Sequence, residues 1–368
     1  MVSHAYFAGD NGPKGKMESK TFYCGGSLTF AAIGEGRGYE KSQFVSRILK
    51  DLAYRRAIMK FVVAGQFDVV LSGNTPLWIQ GGVLSASKIS GAAFVFWCQD
   101  FYSVAVAELL ALKMSVIAAP IAWCLKQWDR AQFRKSSHLV LITEKFAEQT
   151  DAWGIPRDRV EVIPNWGAIG EISICESSND WAKQNEIRSE NVVLYSGTLG
   201  LKHNPELILE AADRISADFV VVGFGVGYDD LARQDRTNLR LLPLQPFDVF
   251  PEVLGTATVL IAVIEREAGN FSVPSKVLSY LCAGRPIVLA APADNLASTI
   301  IRESGAGLVV EPEDSQGFTR AIKRLIDDPE LAKSMGKAGR RYAEENFDID
   351  IVTSRFEEVF EKALGRVK

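Results

Sequence analysis

Histidine is scarce in this chain: His4, His138 and His203 are all that 368 residues contain. No two of them share ligand spacing, which argues against a histidine-built metal site. Cysteine is scarce as well. Cys24, Cys98, Cys124, Cys175 and Cys282 are scattered, odd in number and without a C-x-x-C pair. Neither a disulfide framework nor a zinc knuckle is expected, and a reducing cytosol is the simplest compartment. No run of about 18 uncharged apolar residues occurs, so no membrane span is expected. The nearest approach, Met114–Leu125, is twelve residues long and interrupted by Pro120. Met1-Val2-Ser3-His4 lacks the basic and apolar regions of a secretory leader, so none is expected. An excess of positive charge is missing too. With 41 Lys and Arg against 45 Asp and Glu, the net charge of -4 does not suggest a nucleic-acid binder.

What is present is ordinary globular composition, 47% hydrophobic and 23% charged, in a chain too long for one hydrophobic core. Two domains are expected. Charge divides unevenly between them: residues 1–170 carry 19 basic and 14 acidic side chains, and the remainder 22 and 31. Different partners would explain the asymmetry, and so would ordinary drift of solvated charge.

Short β-rich runs alternate with helical patterns throughout. The first half predicts strands at Leu28–Ile33, Asp68–Ser72, Ala93–Cys98, His138–Thr143 and Val160–Pro164. Helices between them fall at Ser42–Ala64, Leu77–Ser90, Val104–Phe133 and Glu144–Trp153. The second half repeats the grammar from Val192 to a last helix near Asp350–Leu364. Fully apolar strands such as Phe94–Trp97 and Val220–Val222 belong in parallel sheets covered on both faces. Two doubly wound α/β domains are predicted, with a ligand cleft between them at the carboxyl ends of the strands. The polar stretch Ile174–Ser189 sets the break between Ile172 and Val192. The domains are therefore 1–172 and 190–346, with 347–368 forming a terminal helix.

Three segments carry candidate chemistry. Tyr195-Ser-Gly-Thr-Leu-Gly-Leu-Lys202 follows a buried strand. Gly197 and Gly200 permit close backbone approach, the next helix offers free N–H groups, and Lys202 adds a cation. Val222-Gly-Phe-Gly-Val-Gly227 is a second glycine loop, lacking the full dinucleotide frame and an evident ribose-binding acid. It is read as a loop at the cleft. The third segment runs from Glu265 to Val288. Its Gly269-Asn270-Phe271-Ser272 loop would present amides at a helix opened by Pro274-Ser275, with Lys276 one turn in. Dipole, amides and ammonium together make a diphosphate cradle. Ala283-Gly-Arg-Pro286 then ends the helix and starts a strand. The alternative is an ordinary helix followed by a tight turn.

These segments, in this order, resemble the donor half of family 4 retaining glycosyltransferases of the GT-B fold. The likeness is to bacterial enzymes of capsule, O-antigen and exopolysaccharide assembly. Asn74-Thr-Pro76, Gln99-Asp100 and Ile163-Pro-Asn-Trp166 resemble the same subgroup in the first half. There are departures: Ser279 stands where the ribose-binding glutamate would be, and Thr198 where many members carry an arginine. The strand and glycine-rich loop with which the family opens have no counterpart before His4–Gly9, so the resemblance implies a truncated first domain.

The resemblance implies sugar transfer from a nucleoside diphosphate donor to an acceptor hydroxyl, with retention and without a metal or other cofactor. Lys202 and Lys276 would steady the leaving diphosphate. Gly197, Gly225 and Leu244-Gln245 would lie near phosphate, sugar and base, and the first domain would take the acceptor. Asp100, at a strand end, would bind acceptor or sugar hydroxyls, or else cap the following helix. Two other readings are a GT-B epimerase acting on a nucleotide sugar and a non-catalytic nucleotide-sugar binder or inactive fragment. A lipid-linked saccharide acceptor and an anionic membrane surface are further expected partners, with a cytoplasmic enzyme peripheral to the inner membrane face. The segment Leu109–Arg134 would meet the headgroups through Trp123 and Trp128 beside Lys126, Arg130 and Arg134. Its more ordinary reading is a core helix.

Overall fold

The computed structural model describes residues 2–7, 17–21, 27–33, 44–73, 75–104, 118–200, 204–266 and 275–365. The chain divides into two compact units, Met1–Ile163 with Arg355–Lys368, and Pro164–Ser354.

In the first unit, β1 (Val2–Phe7) and β2 (Met17–Thr21) flank β3 (Ser27–Ile33). The β1 pairing is parallel and the β2 pairing antiparallel. The antiparallel strand was not expected from the sequence. A second sheet, ordered β4 (Val69–Ser72), β5 (Ala93–Cys98), β6 (His138–Leu141) and β7 (Val160–Val162), is wholly parallel. Helices Phe44–Gly65, Leu77–Ser90, Ala118–Lys135 and Glu144–Ala152 connect or flank these strands. The core gathers five aromatic rings. Phe101 stacks on Phe133 at 5.4 Å, and Phe96, Phe146 and Trp153 meet this pair edge-on at 4.8–5.3 Å. Offset and edge-on geometries place ring edges on ring faces, which adds to the burial itself.

The Ala118–Lys135 helix corrects the core-helix reading. Only its second half is anchored, through buried Asp129, Gln132 and Phe133. Elsewhere it is exposed, Trp123 at 63% and Trp128 at 43%, with Ile121 shortly before them. Buried Asp129 accepts the Ser103 N–H at 3.2 Å, and burial raises its pKa against the lowering effect of Ser103.

The second unit holds six parallel strands, β8 (Val192–Thr198), β9 (Asp218–Phe224), β10 (Leu239–Leu242), β11 (Val259–Val263), β12 (Ile287–Ala290) and β13 (Gly307–Val310). They lie in the order β10-β9-β8-β11-β12-β13. Alternate residues feed two separate cores. Leu194, Val220, Leu260 and Leu289 face one side; Val193, Val221, Ile261 and Val288 face the other. Helices cover both faces, the arrangement that continuous apolar strands require.

The division falls at Ile163/Pro164, earlier than the polar stretch suggests. Residues of that stretch are built into the second unit. Asp180–Gln184 is a short helix capped by Asn179, whose side chain accepts the Ala182 N–H at 2.9 Å. Trp181 within it is buried, and its indole donates to Gln245 at 3.1 Å. Arg340 and Arg285 clasp the flanking backbone, donating to the Ile172 and Cys175 carbonyls at 2.7 and 2.9 Å. Polar composition concealed these anchors. The terminal helix Ile349–Gly365 enters the first unit at Arg355, which donates to the Val162 carbonyl at 2.6 Å.

Candidate active site

Strand order locates the site in the second unit. β8 comes first in the chain and lies mid-sheet; the chain proceeds to β9 and β10 on one side, then crosses to β11 on the other. Ligands of doubly wound sheets bind at such a switch point, beyond the carboxyl ends of the strands. β8 and β11 stay paired only at Val193 and Leu194, so the sheet opens beyond them. Tyr280 reaches into this opening from the Ser275–Cys282 helix. Its hydroxyl accepts from the Ser196 N–H at 2.8 Å and donates to the Ser196 carbonyl at 3.1 Å. The two strand groups that β11 leaves unpaired are thereby satisfied.

The two glycine loops interlock above the sheet. Leu199 N–H donates to the Phe224 carbonyl, and Gly227 N–H to the Leu199 carbonyl, both at 2.9 Å. Gly225 cannot be replaced without strain: its φ is 118°, and a Cβ there would sit 2.6 Å from the Leu199 carbonyl oxygen. Gly197, at φ 123°, faces open space except for one neighbour. A Cβ on it would lie 3.7 Å from Lys276 Cε and 3.9 Å from Nζ. The ammonium of Lys276 therefore hangs over the bare backbone of the first turn.

Lys276 is half-buried, at the second position of its helix. Its Nζ lies 3.9 Å from the Tyr195 ring centroid and donates to the Tyr195 hydroxyl, which itself donates to the Thr198 carbonyl at 2.7 Å. Burial lowers the Lys276 pKa to about 7 and raises those of Tyr195 and Tyr280. An amine that burial holds near neutrality gains most from an arriving anion.

Gly197, Thr198 and Gly225 thus lie at the two glycine turns, and Ser275, Lys276 and Ser279 share the helix whose lysine reaches Gly197. Gln245 is held by Trp181 and by its own bond to the Pro243 carbonyl at 2.8 Å, and Leu244 beside it is exposed. Lys202, Gly269, Asn270, Phe271 and Ser272 lie outside the described residues. Asp100 belongs to the first unit, exposed just beyond β5. Four features escaped the sequence reading: Tyr195, Tyr280, and exposed Phe224 and Phe247 beyond β9 and β10. The available signal was an apolar strand ending in a tyrosine directly before Ser-Gly. Among the described residues no cluster of three His, Cys, Asp or Glu could hold a metal ion.

Two α/β units, the second with glycine turns and a lysine at its switch point, define a GT-B architecture. Residues 35–166 match the family described as Glycosyl transferase 4-like domain, and residues 177–342 match Glycosyl transferases group 1. The chain belongs to the family 4 glycosyltransferases with the GT-B fold. It is similar to WcaI of Escherichia coli (strain K12), named for colanic acid biosynthesis, at 26% identity over 78% of this chain and 72% of that one. Among solved structures, sucrose-phosphate synthase from Thermosynechococcus elongatus superposes with a TM-score of 0.75 at 12% identity. That match covers 98% of this chain and 89% of the other. HepE of Anabaena, solved with UDP-glucose, gives 0.64 at 16% identity over 85% and 83% of the two chains.

Proposed function

We propose that this glycosyltransferase moves a sugar from a nucleoside diphosphate donor to an acceptor hydroxyl, with retention at the anomeric carbon. The process served is assembly of a bacterial surface polysaccharide. The observation that carries the reading is the Lys276 ammonium suspended over the Gly197 backbone at the switch point. In the reaction the sugar–phosphate bond breaks and charge grows on the departing diphosphate. A cation and backbone N–H groups already in position stabilise that charge more than the ground state. Lys276 takes this role in place of a metal, Lys202 and the amides of residues 269–272 are assigned to it from the sequence motif alone, and transfer should persist in chelator. Thr198 and Ser279 contribute hydroxyls where an arginine and a glutamate are usual, so donor affinity should rest heavily on Lys276. The name of WcaI supports the polysaccharide assignment, and the UDP-glucose of HepE supports the donor class.

Asp100 is assigned to hydroxyl groups of the acceptor or the transferred sugar. The acceptor is a lipid-linked saccharide presented at the inner face of the membrane, and the enzyme is peripheral there. No described helix is long and apolar enough to cross a membrane.

Calorimetric titration with a panel of nucleotide sugars, followed by a product assay, tests the reading. Donor binding, transfer to a lipid-linked glycan and a retained anomeric configuration by NMR are expected. Binding without product rejects catalysis, an isomerised donor without acceptor identifies an epimerase, and no binding at all rejects the donor class.

A further inference from the structure

We infer that Tyr195 is a positioning residue for donor binding, its phenol holding the Lys276 ammonium against the glycine turn. The inference rests on reading this site as a diphosphate site. Its grounds are geometric. The Tyr195 hydroxyl donates to the Thr198 carbonyl at 2.7 Å, a bond that fixes the hydroxyl proton and turns a lone pair toward Lys276. The ring lies beneath the ammonium at 3.9 Å, so the charge is steered by both the oxygen and the π-face. A lysine side chain has four rotatable bonds and loses rotamer freedom when a ligand fixes it. Here most of that loss is already incurred in the free protein, because the tyrosine has selected the rotamer that overhangs Gly197.

The pairing is reciprocal along the same two elements. Tyr195 comes from β8 and grips the helix lysine, whereas Tyr280 comes from the helix and grips the β8 backbone at Ser196. The two phenols differ in what they can influence. The Tyr280 hydroxyl bonds to the Ser196 backbone, so it secures the helix without touching the cation. Tyr195 ties the cation itself to the turn that would meet the phosphates. This contrast supplies the control that a merely structural explanation needs.

A double-mutant cycle on the full-length chain tests it, using uridine and guanosine diphosphate as calorimetric probes. Tyr195→Phe keeps the ring and removes the hydroxyl. It should weaken diphosphate binding about tenfold and lower kcat/KM for the donor by at least as much. In a Lys276→Ala background the same change should have no further effect, since nothing remains to be positioned. Tyr280→Phe should lower the melting temperature, and its effect on diphosphate binding should be the same in both backgrounds. In parallel, acetic anhydride labelling followed by mass spectrometry reads the Lys276 amine without any nucleotide. Freed of its tether, that amine should label several-fold faster in Tyr195→Phe and at the wild-type rate in Tyr280→Phe. Equal effects of Tyr195→Phe in both backgrounds, or unchanged Lys276 labelling, overturn the inference. Should wild-type protein bind neither diphosphate while the labelling still responds, the tether stands and the donor reading falls.

Discussion

The second unit builds its site from backbone, and the first unit offers side chains. At the switch point of the six-stranded sheet, two glycine turns are bonded to each other through main-chain groups, and Lys276 overhangs the first of them. In the first unit, Asp100 stands exposed beyond a strand, and Trp123 and Trp128 stand exposed on a helix. A diphosphate is common to many donors, and fixed amides, a helix terminus and a cation suit it regardless of the sugar. Acceptors differ, and a surface of exposed side chains can change without disturbing the sheet beneath. On the proposed assignment of the donor to the second unit and the acceptor to the first, donor recognition should survive damage to the first unit, while acceptor recognition should not tolerate it.

The strongest way to break that contrast is to empty the first unit's aromatic core. Phe133 contacts Phe96, Phe101 and Trp153 and is fully buried. Phe133→Ala should destabilise the first unit by about 3–5 kcal/mol, through lost burial and a residual cavity. Calorimetry should show an early transition that wild-type protein lacks, with nucleoside diphosphate still protecting the later one. Loss of nucleotide protection would mean that the two units do not fold separately.

Next in size is the cation. Lys276→Ala removes a charge-assisted bond to phosphate and should cost roughly 1.5–3 kcal/mol in kcat/KM for the donor. Acceptor KM should stay unchanged. Wild-type kinetics would show that the diphosphate sits elsewhere.

The fold was legible almost throughout because apolar strands and capped helices leave local patterns: Leu77–Ser90 was predicted residue for residue. The glycine turns and the Ser275-Lys276 helix start were legible for a related reason, since backbone geometry demands particular residue types at fixed spacing. What escaped was decided by distant packing. Trp181 looked like part of a polar linker, yet its contacts are with Glu252 and Gln245, more than sixty positions away. Tyr195 looked like the end of a strand, and its partner Lys276 lies 81 positions further on. Nothing local announces either pairing. The sequence leaves the Ala118–Lys135 helix open between a core and a surface reading, because its start is apolar in composition and composition does not record which face meets a neighbour; exposed Trp123 and Trp128 fit the surface reading.

A smaller effect sharpens the account of the second unit. Burial holds the Lys276 amine at about pKa 7 in the free protein. A bound diphosphate favours the ammonium and raises that value, so binding must take up a proton once the free amine has lost it. Donor affinity should therefore be level below pH 7 as far as this group is concerned. Above pH 7 it should fall by up to about tenfold per unit until the pKa of the complex is passed. Titrations between pH 6 and 9, in buffers of different ionisation enthalpy, should show the uptake directly. Lys276→Ala should abolish both the uptake and the slope.

The smallest effect concerns the first unit's surface. On the Ala118–Lys135 helix the one acid, Asp129, is buried, while Lys126, Arg134 and Lys135 are exposed beside Trp123 and Trp128. Arg130 Nε and Arg134 Nη2 each donate to the Trp153 carbonyl at 3.0 Å, which leaves their remaining N–H groups for an outside anion. Indole rings suit the depth of the headgroups, and each basic residue near an anionic surface contributes about 1 kcal/mol, screened by salt. Full-length protein should pellet with phosphatidylserine-containing vesicles at low salt, less at high salt, and not with neutral ones. Trp123→Ser with Trp128→Ser should reduce pelleting several-fold, and Lys126→Glu by about fivefold, both leaving nucleoside diphosphate binding intact. The expected outcome separates a headgroup-facing surface in one unit from an anion site in the other. Pelleting that ignores salt and both sets of substitutions places the membrane contact on some other face.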